Sequence, residues 1–212
     1  GRPWQLAVVG GGAAGVEIAL CLAERLRQTR PHVAVESSLI DAGETVLEGM
    51  RPRVQQLAGA ALEAAGSRLR LQAKVVALAE PDGICFNNDA TLPTDLAIWA
   101  TTARPPALLD RIDLPKDEQG FLLTRDTLQS TGADEVFVVG DSGTCDGLRR
   151  PKSGVFAVRQ GPLLWQNFER LLRGKPLKRW KPQKEFLRLF NTADSRAILA
   201  YHGLAAHARW CW

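Results

Sequence analysis

The sequence has no apolar run approaching the roughly 20 residues that a membrane-spanning helix requires. Its first residues show no signal-peptide pattern either. These two absences argue against a membrane-spanning or secreted protein. We expect a cytoplasmic location, with peripheral attachment to a membrane as the alternative.

Potential metal ligands are few and scattered. The four cysteines lie far apart and form no C-x-x-C pair, so neither a zinc site nor a local redox disulfide is expected. They are Cys21, Cys85, Cys145 and Cys211. The three histidines, His32, His202 and His207, show no metal-ligand spacing with any cysteine. We therefore expect no metal, structural histidines, and buried thiols in a reducing compartment.

The composition is that of a soluble globular protein, with 45% hydrophobic and 24% charged residues among 212 and a formal net charge of +4. Positive charge concentrates in residues 170–188. The basic residues there are Arg170, Arg173, Lys175, Lys178, Arg179, Lys181, Lys184 and Arg188, interleaved with Trp180 and Phe186. Such a mixture can bind nucleic acid or an anionic membrane. Because no nucleic-acid motif accompanies it, we expect a solvated or dimer-facing edge and no nucleic-acid partner.

The most informative stretch is a glycine turn between a strand and a helix. Leu6 to Val9 is an unbroken apolar run, typical of a parallel strand buried on both faces. The next residues, Gly10, Gly11, Gly12, Ala13, Ala14 and Gly15, fit G-x-G-x-x-G. In this motif Gly10 permits the turn, Gly12 lets a pyrophosphate approach the backbone, and Gly15 packs the helix on the strand. The pattern predicts a dinucleotide phosphate at the helix N-terminus, with a purely structural glycine turn as the alternative.

An acidic residue at the end of the second strand would bind the adenosine ribose hydroxyls and repel a 2′-phosphate. Two residues compete for this role. Glu36 has the nearer sequence spacing, whereas Asp41 precedes the turn Ala42-Gly43-Glu44 and fits the carboxyl edge of the strand better. We favour Asp41, and NADH over NADPH. The alternative is a surface acid that touches no ligand.

The remaining patterns predict an α/β fold, a Rossmann-like parallel sheet with helices. Helices are expected at 13–28 before Pro31, at 53–65 before Gly66, and from Lys152 to about Arg173. Strands are expected within 33–41, at 70–76 and after Asp95. Turn signals at 81–83 and 87–89 flank Ile84 to Phe86 and indicate a three-stranded antiparallel meander. A further buried strand is predicted at 136–139, followed by Asp141.

These motifs together resemble a known family. Gly10 to Glu17, Ala100-Thr101-Thr102, Val136 to Asp141 and Lys152 to Gly161 resemble the flavoproteins of the pyridine nucleotide-disulfide oxidoreductase superfamily. Within it the chain is most similar to the type II NADH dehydrogenase and sulfide:quinone reductase branch. Residues 152–162, 182–191 and the closing Trp-Cys-Trp further resemble the flavin oxidoreductase found fused to selenide, water dikinase.

The resemblance implies a split FAD domain. Residues 1–104 would form the NAD(H)-binding domain, 105–174 the C-terminal segment of the FAD-binding domain, and 175–212 a small interface or dimer module. FAD's own glycine motif would then precede residue 1. The chain begins at Gly1 rather than Met and ends within an aromatic run, so we expect an excised piece. Whether it forms a homodimer is left open.

The resemblance also implies roles for individual residues. Asp141 would bind the ribityl-phosphate region of FAD, and the N-terminus of the third helix would point its positive end at the flavin ring. Gly140, Lys152 and Val155 are further candidates for cofactor binding. Glu17 matches an acid that faces the nicotinamide; the alternative is an ordinary glutamate stabilised by the helix dipole. Thr101 and Thr102 would lie at the cofactor.

Three departures from the family pattern matter. Thr102 replaces a glycine, and threonine resists positive φ. Val155 stands where quinone-using relatives carry glutamine. Only Cys145 lies near the flavin motif, whereas sulfide-oxidising relatives need paired cysteines.

The function predicted from sequence is that of a fragment of an FAD-dependent NAD(P)H oxidoreductase. Hydride would pass from NADH to flavin, and then to an unidentified small-molecule acceptor such as a quinone. No side chain needs to act as a general acid or a nucleophile, and the fragment alone is expected to be inactive. The alternative is a non-catalytic nucleotide-binding or docking module associated with selenide, water dikinase.

Overall fold

The computed structural model describes residues 2–79, 81, 83–148, 150–183 and 185–212. Asp82 of the predicted turn, Lys184 of the basic stretch and Gly1 lie outside the described residues. The chain forms two compact units, Gly1–Thr102 together with Glu185–Trp212, and Ala103–Lys184. The closing residues therefore group with the first unit, whereas the domain boundaries at 104 and 174 remain a prediction about the assembled protein.

Twelve strands and three α-helices follow one another along the described chain. They are β1 (Trp4–Val9), α1 (Ala13–Thr29), β2 (Val35–Ile40), α2 (Pro52–Ala64), β3 (Ser67–Arg70), β4 (Val75–Ala79), β5 (Gly83–Phe86), β6 (Thr91–Pro93), β7 (Leu96–Trp99), β8 (Leu122–Thr124), β9 (Gly143–Cys145), α3 (Gly154–Leu172), β10 (Arg188–Asn191), β11 (Ala197–Tyr201) and β12 (Leu204–Ala208).

A parallel sheet of order β3-β2-β1-β7 forms the centre of the first unit. Val8 of β1 and Leu39 of β2 are fully buried beneath α1 and α2, where they contact Leu20 and Leu62 in one apolar cluster. The cluster extends to Ile198 of β11, so the antiparallel sheet β10-β11-β12 packs on the same core. The predicted α/β fold with a parallel sheet is confirmed.

A three-stranded antiparallel meander, β4-β5-β6, joins β3 to β7. Ile84 of β5 is fully buried and packs with Ala7 and Ile40 of the parallel sheet. The meander predicted from the turn signals is therefore confirmed. Its apolar residues explain why so short a set of strands stays attached to the larger sheet.

Two strand predictions are wrong. The strand expected at 70–76 is split, because β3 ends at Arg70 and Gln72 adopts a positive φ of 54° before β4 begins. The buried strand expected at 136–139 is absent: Phe137 forms only an isolated bridge with Gln129, and Val136 is 38% exposed. An apolar run alone did not reveal that pairing with residues 128–130 is limited to one isolated bridge.

The second unit contains β8 paired in parallel with β9, and the helix α3. α3 begins after its N-cap Ser153 and ends at Leu172, with Arg173 as its C-cap, close to the expected bounds. Asn167 is its only fully buried residue. Its amide nitrogen donates to the carbonyl oxygens of Thr127 at 2.9 Å and Lys178 at 3.0 Å, and its oxygen accepts the Lys178 N–H at 2.8 Å. None of the described helices is long and apolar enough to cross a membrane.

Asn167→Leu tests how much this polar anchor contributes. The substitution keeps the size of the side chain but leaves the Lys178 N–H and two carbonyl groups without partners, so unfolding should become easier by about 2–4 kcal/mol. Urea unfolding followed by tryptophan fluorescence measures the change. Gln166→Ala, one position away on the exposed face, should stay within about 0.5 kcal/mol. Equal stability of Asn167→Leu and the wild type would contradict this account.

Candidate dinucleotide-binding site

The glycine turn is built by close approach of three backbone segments. Gly10 has φ of +117°, and a Cβ on it would overlap the carbonyl of Ala100 at the end of β7. A Cβ on Gly15 would overlap the carbonyl oxygen of Gly10. These two glycines are therefore required by packing, whatever the site binds.

Gly12 differs from its neighbours because nothing lies within 4 Å of the Cβ it lacks. It is the N-cap of α1 in an extended conformation, and no side chain caps the helix. Gly12, Ala13 and Ala14 are exposed, and the first N–H groups of a helix have no partner within the helix. The open cradle and the positive helix end fit an anionic phosphate.

Gly11 does not add to that cradle. It is buried, its N–H donates to Oδ2 of Asp41 at 2.5 Å, and its carbonyl oxygen accepts the Leu47 N–H at 2.7 Å. Gly11 therefore joins the turn to the loop after β2.

Asp41 follows β2 directly at the carboxyl edge of the parallel sheet. Its Oδ1 accepts the Gly43 N–H at 2.7 Å, while Oδ2 accepts the Gly11 N–H. Glu36 lies near the start of β2, where Arg68 approaches it at 3.4 Å. Of the two acids, only Asp41 lies beside the glycine turn, and its carboxylate is fixed there by two backbone donors.

Thr101 and Thr102 leave β7 next to the same turn. The preceding Ala100 N–H donates to the carbonyl oxygen of Val9 at 2.8 Å, which holds this segment against β1. Both threonines are exposed, and neither has a positive φ. Replacing the family's glycine with Thr102 therefore causes no backbone strain.

Glu17 has a partner that the sequence did not reveal. Its Oε1 accepts the backbone N–H of Asn191, at the end of β10, at 2.9 Å. The side chain is half-buried and links α1 to the sheet β10-β11-β12. A role facing the nicotinamide remains a prediction.

The residues predicted to hold FAD lie in the second unit. Gly140 has φ of +63° and donates its N–H to Oε1 of Gln160 at 2.6 Å. Asp141 is exposed in the 3₁₀ turn Gly140–Ser142. The Ser153 side chain makes no capping bond to α3, and nothing lies within 4 Å of the missing Cβ of Gly154. Open space at an uncapped helix N-terminus suits a partial negative charge on a ligand.

Lys152 precedes this helix and is held by several groups. Its Nζ donates to the Gly143 carbonyl oxygen at 2.5 Å and to Oγ1 of Thr144 at 3.0 Å, and it lies 4.0 Å from the centre of the Phe121 ring. Burial lowers the pKa of Lys152, while Asp117 and then Asp141 oppose that shift. Thr144 donates in turn to Oδ2 of Asp117 at 2.7 Å.

Sequence reasoning missed Asp117 and Thr144. The sequence did contain one indication for Asp117: an aspartate followed three residues later by Gly120 is typical of a turn. The structure shows that turn, with Oδ1 of Asp117 accepting the N–H groups of Gln119 and Phe121, both at 3.0 Å. Nothing in the sequence placed Thr144 beside it.

The other candidate residues take structural positions. Cys145 is buried and free, and burial raises the pKa of its thiol, which disfavours a reactive thiolate. His207 Nε2 lies 3.0 Å from Oγ1 of Thr192. Among the described residues, no group of three or more His, Cys, Asp or Glu side chains is arranged to hold a metal.

Comparisons with known proteins agree with this geometry. A profile of the pyridine nucleotide-disulphide oxidoreductase family matches residues 2–161. Demethylphylloquinone reductase NdbB of Synechocystis is 31% identical over 193 residues, covering 87% of this chain and 46% of that protein. The type II NADH:quinone oxidoreductase of Haemophilus influenzae is 27% identical, covering 84% and 42%. The NADH dehydrogenase-like protein YutJ of Bacillus subtilis is also 27% identical, covering 84% and 47%.

The fold is shared with solved structures. NDH2 from Plasmodium falciparum in complex with NADH superposes with a TM-score of 0.79 at 12% identity, covering 96% of this chain and 58% of that one. The chain spans about half the length of the curated relatives it matches. The family match covers both the glycine turn and the start of α3, and on this basis the chain belongs to the pyridine nucleotide-disulphide oxidoreductase family.

Proposed function

We propose that this chain is the NADH-binding part, with the C-terminal portion of the flavin domain, of an FAD-dependent NADH oxidoreductase. The observation that carries the proposal is the open cradle at Gly12. This residue alone among Gly10, Gly12 and Gly15 is not needed for packing. It lies at an uncapped helix end, next to Gly11, whose N–H donates to Asp41.

Within this site the residues bind and orient rather than react. The N–H groups of Gly12, Ala13 and Ala14 would hold the pyrophosphate, with Gly10, Gly11 and Gly15 shaping the turn. Asp41 would accept the hydroxyls of the adenosine ribose. Thr101, Thr102 and Glu17 would border the nicotinamide half. The bound cofactors supply the hydride chemistry, and no side chain here needs to be a general acid.

The flavin half of the proposal rests on the second unit. Gly140, Asp141, Lys152 and Val155 would contribute to the FAD site, and the uncapped start of α3 would favour negative charge on the reduced ring. α3 exposes Val158 by 76%, Trp165 by 66% and Leu172 by 88%, in a stripe with seven-residue spacing. An exposed apolar stripe is typical of a surface that contacts a partner. We propose that the partner is an additional N-terminal FAD-binding segment, since the relatives are longer than this chain.

The acceptor is proposed to be a small quinone-type molecule. One of the relatives above is named a demethylphylloquinone reductase and another an NADH:quinone oxidoreductase. Exposed apolar residues near the chain end, Leu204, Trp210 and Trp212, accompany the basic residues Arg188 and Arg209. Tryptophan beside arginine suits a membrane interface, so we propose a cytoplasmic protein that contacts the membrane peripherally.

Two other proposals rest on the sequence resemblance. One is an association with selenide, water dikinase, based on residues 152–162, 182–191 and the closing aromatic residues. The other is a non-catalytic nucleotide-binding or docking module. A glycine replaced by Thr102 and an unassigned ribose acid would favour that module; Thr102 has no positive φ, however, and Asp41 lies beside the glycine turn. We therefore favour the oxidoreductase.

Gly12→Leu tests the dinucleotide site. A Cβ at this position has no protein atom within 4 Å, so the new side chain would enter the open cradle and NADH binding should weaken at least about tenfold. The change from Gly to Leu at the N-cap should lower the free energy of unfolding by no more than about 1 kcal/mol. Titration of NADH fluorescence measures the affinity. Ala60→Leu, which adds the same kind of bulk on an exposed part of α2, should bind NADH like the wild type. NADH affinity unaffected by Gly12→Leu would contradict the proposed site.

A second prediction concerns flavin. The 212-residue chain should purify without FAD, because this proposal gives it only part of the flavin site. Joined to the N-terminal segment of a relative, it should show a flavin absorption spectrum that NADH bleaches in the absence of oxygen. Stoichiometric FAD on the 212-residue chain would contradict the split site, and a bound flavin that NADH cannot reduce would favour the non-catalytic module.

A further inference from the structure

The carboxylate of Asp41 is held between two glycines. A Cβ on Gly11 would lie 3.0 Å from its Cγ, and a Cβ on Gly43 would lie 2.9 Å from its Oδ1. A Cβ at either position would press against the carboxylate in its present orientation. The direction of the carboxylate is therefore set by the backbone rather than by a free rotamer.

A second carboxylate approaches the same point. The missing Cβ of Gly43 lies 3.2 Å from Oε2 of Glu48 as well as 2.9 Å from Oδ1 of Asp41. Among the ion pairs of the described residues, none involves Asp41 or Glu48. Two negative charges thus flank one small space at the carboxyl edge of the sheet.

Glu48 is exposed but not on a free loop. The preceding Val46 and Leu47 are only 3% and 2% exposed and belong to the main apolar core. The Leu47 N–H also donates to the Gly11 carbonyl oxygen. The backbone that carries Glu48 is consequently tied to the glycine turn itself.

Residues 42–50 of this loop contain no basic residue. Arg70, whose carbonyl oxygen accepts the Asp41 N–H at 2.9 Å, forms no ion pair with Asp41 or Glu48 among the ion pairs of the described residues. Arg51 is the next basic residue after Glu48, and its guanidinium lies against Gly203, with Nη1 3.4 Å from the missing Cβ of that glycine. The space between Asp41 and Glu48 is therefore suited to a neutral hydroxyl and unsuited to a dianion.

We infer that Glu48 is a second specificity-determining residue, which acts with Asp41 to select dinucleotides with a free 2′-hydroxyl and to reject those with a 2′-phosphate. The inference rests on the proposed function, since it deepens the assignment of the same site. Asp41 accepts ribose hydroxyls and repels phosphate, whereas Glu48 contributes repulsion. Removing the charge of Asp41 alone should then leave part of the discrimination in place.

The test compares NADH and NADPH binding to the purified 212-residue chain at low salt, by calorimetry or nicotinamide fluorescence. Glu48→Gln should tighten NADPH binding by about tenfold and change NADH affinity by less than about twofold. Asp41→Asn should weaken NADH, and the double variant should bring the two affinities closest together. Glu63→Gln, which removes one exposed carboxylate from the far end of α2, controls for net charge.

The salt dependence of NADPH binding tests whether the effect of Glu48 is electrostatic. The effect of Glu48→Gln on NADPH should shrink as salt rises, because exposed charges are screened within about 10 Å at 0.1 M. A salt-independent change would indicate altered packing and overturn the inference.

The remaining outcomes distinguish a failure of the proposed dinucleotide site from a failure of the role proposed for Glu48. If the wild type binds neither dinucleotide, the proposed function fails and this inference with it. If it binds both equally, or if Glu48→Gln affects NADPH no more than Glu63→Gln does, the inference fails while the dinucleotide site stands. Selective gain of NADPH binding in Glu48→Gln supports it.

Discussion

The first unit depends on the close crossing of three backbone segments at the end of β1. The turn at Gly10, the first turn of α1 at Gly15 and the end of β7 at Ala100 come so near that a single Cβ on either glycine would overlap a carbonyl group. This crossing places the N-terminus of α1 at the carboxyl edge of the parallel sheet. A helix end that carries partial positive charge thereby lies where ligands of open α/β sheets bind.

The glycines of one motif serve different purposes. Gly10 and Gly15 satisfy packing, Gly11 makes room for Asp41, and only Gly12 leaves space for something outside the protein. Gly43, outside the motif, repeats what Gly11 does on the other side of the same carboxylate. The site therefore combines a positive end for phosphate with a negative edge for hydroxyls, both positioned by backbone rather than by mobile side chains. A dinucleotide carries both kinds of group, which is why this arrangement favours one.

The second unit follows another principle. Its polar residues are joined in a chain, with Asp117 accepting from Thr144 and Thr144 accepting from Lys152. Such linked bonds fix the lysine in place despite its partial burial. The long helix beside it is anchored by buried Asn167, while its apolar stripe stays exposed. The unit therefore combines a hydrogen-bonded polar interior with an exposed apolar stripe on α3.

The sequence by itself determined the elements whose signals are local. Apolar runs, glycines and prolines located α1, α2, α3 and the meander. The position of Asp41 at the predicted end of β2 favoured it over Glu36. Prediction from sequence failed at 70–76, where Gln72 takes a positive φ that the apolar pattern does not show, and at 136–139, where an apolar run does not show how much of it pairs with another segment. Only the tertiary structure decided which distant groups meet: Glu17 with Asn191, Asn167 with Lys178, and Glu48 with Asp41 beside Gly43. The physical reason is that these contacts form only when packed helices and strands bring distant segments together. The spacing of residues along the chain does not show which segments will meet.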